Sequence, residues 1–267
     1  MLHRIKRIVI TGIVIYLSVL GLLYVFHPRI VFQPDVLPPD HQFNFDHSFT
    51  ELFLIHEESG ERLNALHFAA EDTVKGLVLY FHGNADNLQR WGRYTADITR
   101  HGYEVLAIDY PGYGKSDGKA TEEGLYRSAE LALNWAQERF PADRIIIYGR
   151  SLGSGPASWL AARHPARQLI LETPFSNMAQ LFRKQASVAL VPFQPHPKFP
   201  VDQYIQQVDY PISIFHGTND GVIPYRVATQ LKPLLKPDDQ FITIKDGSHN
   251  DLRHFPEYQE LLADLLK

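Results

Sequence analysis

A doubly wound α/β domain is what this sequence predicts, on three observations. Short apolar runs recur along it, each ended by Gly, Pro, Asn or Asp. Patterns of helical spacing lie between those runs. One run leads straight into a Gly-x-Ser-x-Gly turn, the point at which a buried strand gives way to a helix.

The runs are Leu52–Ile55, Leu63–Phe68, Gly76–Phe81, Glu104–Ile108, Arg144–Tyr148, Gln168–Leu171, Ile212–Phe215 and Phe241–Ile244. The first two alternate loosely between apolar and polar residues, as a half-exposed antiparallel hairpin does. The later ones, such as Leu77-Val78-Leu79-Tyr80-Phe81 and Ile145-Ile146-Ile147-Tyr148, are almost continuously apolar. Such strands suit the interior of a parallel sheet, buried on both faces. Between them, Leu125, Ala129, Ala132, Leu133, Ala136 and Phe140 share one face of a helix over 121–140. Thr121 is placed to cap it, and Glu122 and Glu123 suit its positive end. A second helix is expected from about Asp86 to Arg100, stopped by Gly102. The sum is a mostly parallel, eight-stranded sheet with helices on both faces. Ligands of such sheets bind at the carboxyl ends of the strands.

The N-terminal segment reads differently. Residues 1–7 are basic (His3, Arg4, Lys6, Arg7), and 8–26 carry no charge at all. At 1.5 Å per residue that run is about 28 Å long, enough for a transmembrane helix. Its end, Leu23-Tyr24-Val25-Phe26-His27-Pro28, is a poor cleavage site, so an uncleaved signal anchor is expected. The positive flank puts the N-terminus in the cytoplasm and the remainder on the extracytoplasmic side. Residues 27–41 hold Pro28, Pro34, Pro38 and Pro39 and read as an extended linker; 42–267 form the domain.

Composition narrows the function. The chain has 267 residues, 45% hydrophobic, with 26 Lys and Arg against 30 Asp and Glu, a net charge of −4. That balance argues against a nucleic-acid partner. With no cysteine, disulfides, thiolate metal sites and a cysteine nucleophile are excluded.

Gly149-Arg150-Ser151-Leu152-Gly153 follows the Arg144–Tyr148 run. Its glycines permit a sharp strand-to-helix turn that leaves Ser151 at the tip. A serine nucleophile needs a base, and the base needs an orienting carboxylate; behind such an elbow the chain order is Ser, acid, His. Asp220 follows the Ile212–Phe215 run, and His249 follows the last run. Glu172 is the alternative acid. His82 and His216, each preceding a Gly at a strand end, are expected to order loops; Asp251 is too close to His249 to orient it. The oxyanion needs two N–H donors, one from Leu152 and one from the loop after Phe81, from Asn84 ahead of Ala85. Asn84 also has the chemistry of a helix N-cap.

These segments together resemble the α/β-hydrolase superfamily, in particular its membrane-anchored bud-emergence-type hydrolases with serine-aminopeptidase-like domains. The resemblance rests on FHGNADN (81–87), DYPGYGKSDG (109–118), YGRSLGSG (148–155), HGTNDGVIP (216–224) and GSHNDL (247–252). It implies an α/β-hydrolase fold and serine hydrolysis without metal or organic cofactor. It gives the 109–118 loop a structural role. The aminopeptidases of this group carry a large acidic cap, whereas here residues 173–210 are the whole insertion, a small lid rich in Phe and Pro. The expected substrate is therefore a small-molecule or lipid-like acyl ester or thioester ahead of a peptide. A non-catalytic envelope binding protein is the rival reading.

Overall fold

The computed structural model describes residues 2–57, 59–181 and 197–267, with side chains from 3 to 21 and from 31 onward within them. The strands are β1 (Phe49–Ile55), β2 (Arg62–Phe68), β3 (Gly76–Phe81), β4 (Tyr103–Ile108), β5 (Ile145–Arg150), β6 (Gln168–Glu172), β7 (Ile212–Gly217) and β8 (Gln240–Ile244). Among the described residues they form one eight-stranded sheet, in the order β1-β2-β4-β3-β5-β6-β7-β8. β1 and β2 pair as an antiparallel hairpin and β2 meets β4 antiparallel; from β4 to β8 every pairing is parallel. Every residue of β3, β5, β6 and β7 is buried, whereas β1 is half exposed. The contrast between continuous and alternating apolar runs in the sequence reports this difference.

The helices are α1 (Leu2–Val31), α2 (Leu88–Trp91), α3 (Ala96–Thr99), α4 (Glu122–Gln137), α5 (Ser154–Ala161), α6 (Val201–Tyr204), α7 (Tyr225–Ala228) and α8 (Pro256–Leu265). One core lies under α4, α5, α6 and α7, and a second under α2, α3 and α8, so the sheet is covered on both faces. The single helix expected over 86–100 is instead α2, a 3-10 turn at Gly92–Tyr94, and α3. It begins at Leu88 because Ala85 and Asp86 hold φ of 62° and 57°, outside helical space. It tightens at Gly92, where a Cβ would lie 2.5 Å from the Phe45 ring, and the Thr95 hydroxyl donates to the Gly92 carbonyl at 2.7 Å.

The N-terminal expectations need correction. α1 contains the run over 8–26 and continues to Val31, and its residues from 3 to 19 are exposed. Among the described residues, however, no helix is long and apolar enough to cross a membrane. The predicted transmembrane anchor and single-pass topology are therefore not borne out; the side chains of 22–26, which complete the run, lie outside the described residues. Nor is 27–41 a free linker. Val31 and Phe32 are buried in the core, with the Phe32 ring set edge-on to Phe199 at 6.4 Å. Isolated bridges then tie Pro34 to Asp86 and Val36 to Gly114. Prolines deny these residues a long strand, but short bridges need only a few main-chain groups.

Of the expected lid, residues 182–196 lie outside the described residues, among them Phe182, Val188, Leu190, Val191 and Phe193. The flanking Phe175, Phe199 and Val201 are buried in the core. The return leg is fixed by Glu122, whose carboxylate accepts the N–H of Lys198 at 2.6 Å and of Phe199 at 3.0 Å. α4 itself is capped as its sequence predicts: the Thr121 hydroxyl accepts the Gly124 N–H at 2.9 Å. Thr121→Ala removes that cap and is expected to lower stability by about 1 kcal/mol, with Thr121→Ser close to wild type, as read by urea unfolding.

Candidate active site

Ser151 stands at the end of β5 with φ of 51°, between the strand and a 3-10 turn that leads into α5. The glycines beside it are there for close approach. A Cβ on Gly153 would lie 2.0 Å from the Phe81 carbonyl oxygen, and one on Gly149 would lie 2.6 Å from the Ala157 methyl. A left-handed serine is strained by roughly 1–2 kcal/mol, and such strain persists only where packing over-determines it.

β7 and β8 each deliver one further residue to that tip. Gly217 ends β7 against the loop after β8, where a Cβ on it would lie 2.1 Å from the Gly247 carbonyl oxygen. The two loops are also joined by Thr218 N–H to the Ile244 carbonyl (3.0 Å) and Asn219 N–H to the Gly247 carbonyl (2.9 Å). Asp220 and His249 therefore face each other. Asp220 Oδ2 lies 2.7 Å from His249 Nδ1, and His249 Nε2 lies 2.9 Å from Ser151 Oγ. Asp220 Oδ1 accepts the N–H groups of Val222 and Ile223, both at 2.8 Å, so both carboxylate oxygens are held. All three residues are more than nine-tenths buried. With Nδ1–H donated to Asp220, Nε2 is the basic nitrogen facing the serine.

His216 does order a loop. Its Nε2 donates to the Ile223 carbonyl at 2.9 Å and lies 3.5 Å from Asp220 Oδ2. Burial lowers its pKa against the opposing pull of Asp220, keeping the ring neutral. Asp220 is thus left to its partnership with His249. Glu172 is engaged elsewhere: its carboxylate accepts the hydroxyls of Tyr148 (2.5 Å) and Tyr258 (3.1 Å) and lies 3.4 Å from Arg150 Nε. Asp251 accepts the Ser248 N–H at 2.6 Å and shapes the histidine loop.

Leu152 and Asn84 both line one cleft with Ser151 and His249, about 450 Å³ in volume. Its apolar wall includes Phe175, Met178, Leu181 and Ile223. Among the described residues, the N–H groups of Asn84 and Ala85 have no hydrogen-bond partner. The cap of α2 is Asn87, which accepts the Gln89 N–H at 2.9 Å; Asn84 is not a helix cap. No group of three or more His, Asp or Glu side chains among the described residues is gathered as a metal site requires.

The loop over 109–118 has a definite task that its glycines alone did not reveal. Asp109 accepts the Leu88 N–H at 3.1 Å and stands 3.4 Å from His82 Nε2. The Tyr110 hydroxyl donates to the His82 carbonyl, and the Tyr113 hydroxyl to Asn84 Oδ1, each at 2.8 Å. Gly114 lies so close beneath Asp109 that a Cβ would sit 1.9 Å from its carboxylate. This loop is the floor on which the Asn84 loop rests.

Comparison with known proteins bears on the fold and on the broad class of activity. A family model described as Hydrolase_4, serine aminopeptidase S33, matches residues 72–204. Human alpha/beta hydrolase domain-containing protein 17B is 29% identical over 220 residues, covering 81% of this chain and 75% of its own length. Protein 17C of Xenopus tropicalis is likewise 29% identical, over 81% of this chain and 69% of its own. Among solved structures, an esterase of Pyrococcus furiosus superposes with a TM-score of 0.69 at 17% identity, covering 86% of this chain and 96% of that one. Est1E of Butyrivibrio proteoclasticus, solved with ferulic acid bound, gives 0.63 at 20% identity, covering 81% and 96%. The solved structures show the α/β-hydrolase fold. Together with the family model and the relatives, they support a hydrolase.

Asp109 gives the site a pH signature. Burial raises its pKa above the ordinary 3.8, outweighing His82 and the Leu88 N–H. The folded state then holds this proton more tightly than the unfolded state, so stability falls as pH rises from 3.8 through the folded value. Asp109→Asn is expected to gain stability relative to wild type across that window, measured by urea unfolding at stepped pH.

Proposed function

We propose that this protein is a serine hydrolase of carboxylic esters or thioesters. The observation that carries the proposal is the relay from Asp220 through His249 to Ser151, at the edge of a cleft with one apolar wall. Ser151 Oγ attacks the substrate carbonyl carbon while His249 Nε2 takes its proton. Asp220 holds the imidazole and stabilises the imidazolium. The N–H groups of Leu152 and Asn84 receive the oxyanion. Collapse of the tetrahedral adduct breaks the bond to the leaving oxygen or sulfur, which takes the proton from His249. Water, deprotonated by the same nitrogen, then attacks the acyl-serine and releases the acid.

Esters and thioesters rank above peptides because none of the acidic groups at the ends of the insertion, Glu172, Asp202 and Asp209, lines the cleft. Glu172 is held by Tyr148 and Tyr258, and Asp202 accepts the Asn177 amide at 2.6 Å. The rival of a binding protein without catalysis would not need a serine, a base and an acid in line. The expected outcome with full-length protein is labelling by a fluorophosphonate, lost in Ser151→Ala and His249→Ala. Asp220→Asn should lower kcat on p-nitrophenyl esters by roughly 10⁴-fold. A folded wild type that neither labels nor turns over would support the binding protein instead.

The proposal includes association of α1 with a membrane surface. Its support is the run of exposed apolar side chains, Ile8, Val9, Ile10, Ile13, Val14 and Ile15 among them, behind Arg4, Lys6 and Arg7. The protein should co-sediment with anionic phospholipid vesicles, and Ile10→Glu with Val14→Glu should abolish this. A wild type that stays in the supernatant would reject this part of the proposal.

A further inference from the structure

The strand-like segment that follows α1 lies against the Asn84 loop. Gln33 N–H donates to Asn84 Oδ1 at 3.1 Å, and Asn84 Nδ2 donates to the Val31 carbonyl. With Tyr113 also donating to Oδ1, both ends of the carboxamide are engaged, two of its three bonds going to this segment. Two residues on, Asp35 Oδ2 accepts Asn87 Nδ2 at 2.8 Å, and Asp35 N–H donates to the Asp86 carbonyl at 3.4 Å. Gly114 N–H donates to the Asp35 carbonyl at 2.9 Å, and Leu37 N–H to the Gly114 carbonyl at 2.8 Å. Residues 31–37 thus grip the loop at Asn84, Asp86 and Asn87, and grip the floor beneath it.

That grip falls where the loop has most need of it. Ala85 and Asp86 are both non-glycine residues in the left-handed region, a conformation that local sequence does not favour. Side-chain bonds on either side are what hold such a pair in place. The segment is also part of the cleft, since Val31 and Gln33 line it beside Ser151 and Asn84.

We propose that residues 31–37 are a strap that belongs to the active site. Acting through the Asn84 carboxamide, the strap positions the main-chain N–H that receives the oxyanion. In this account the Asn84 side chain is a positioning group, distinct from its own N–H, and α1 is joined directly to the part of the site that sets the rate. The inference rests on the serine hydrolase reading, so its test has one arm that needs no activity.

The variants are Asn84→Ala, which keeps the main-chain donor and removes the carboxamide, and Gln33→Pro, which removes the N–H given to Asn84. Ile55→Ala, at an exposed side chain of β1, is the control. In full-length protein, hydrogen exchange of the bonded Leu37, Gly114 and Leu88 amides is expected to quicken at least ~10-fold in both variants while β3 and β5 stay protected. On p-nitrophenyl butyrate, kcat is expected to fall by roughly 10–10³-fold with little change in KM, since an oxyanion donor acts in the transition state. The Ki of a trifluoromethyl ketone, whose hemiketal places an oxygen anion in the same hole, should rise by the same factor as kcat/KM falls. A looser fold alone would not make the two track. Unchanged exchange in both variants overturns the strap whatever the activity. Quickened exchange with unaltered kcat and Ki overturns its role in positioning. A wild type with neither turnover nor fluorophosphonate labelling sinks the hydrolase reading and with it the positioning role; exchange then reports only whether the strap holds the loop.

Discussion

Phe81 is paired with Gly149 in the parallel register of β3 against β5, and β5 runs one residue further, to Arg150. His82–Asn84 and Ser151–Leu152 therefore leave the sheet side by side, and Gly153 rests on the Phe81 carbonyl at a distance no other residue permits. A one-residue slip in that register would carry the Asn84 loop about 3.3 Å along the strand axis, out of reach of the serine. The apolar runs of β3 and β5, buried on both faces, hold the register. Core packing, at this point, is what aligns the chemistry.

Around that pair the structure keeps charge where it is used. Arg150 lies directly before the serine yet is almost fully buried, its guanidinium set 4.1 Å over the Tyr94 ring and paired with Glu172. Its Nη2 reaches the His249 carbonyl at 3.4 Å, so the charge pair also braces the histidine loop from below. Losing one partner would leave the other charged and buried, the expensive outcome for such a pair. His216, kept neutral by burial, sits beside Asp220 without competing for its charge.

The strands and the serine–acid–histidine set were legible because their signals are local. A strand announces itself by periodicity, an elbow by two glycines around a serine, and Asp220 and His249 by their places after strands. What was not legible depends on contacts between distant segments. Nothing near Gly92 in the chain says that the Phe45 ring will press on it and tighten the helix there. The prolines over 28–39 suggest a spacer, while the bonds that make residues 31–37 part of the domain join them to partners about fifty residues and more away. Glu172 was a plausible acid by position alone; its tyrosine partners, one of them 86 residues on, could not be read from its neighbours. The 109–118 motif carried Tyr110 and Tyr113 in plain view, but only the fold reveals that their hydroxyls hold the Asn84 loop.

The contact between Gly217 and Gly247 has a bearing on how this molecule can change over time. Any side chain at 217 must displace the carbonyl at 247, and Leu252 crowds both glycines. The acid loop and the histidine loop are thereby welded into one heritable unit. Because the obstacle at 217 is main chain, no side-chain change at 247 relieves it, and both positions should stay glycine. The exposed positions of β1, bound by no such contact, are free to diverge alone.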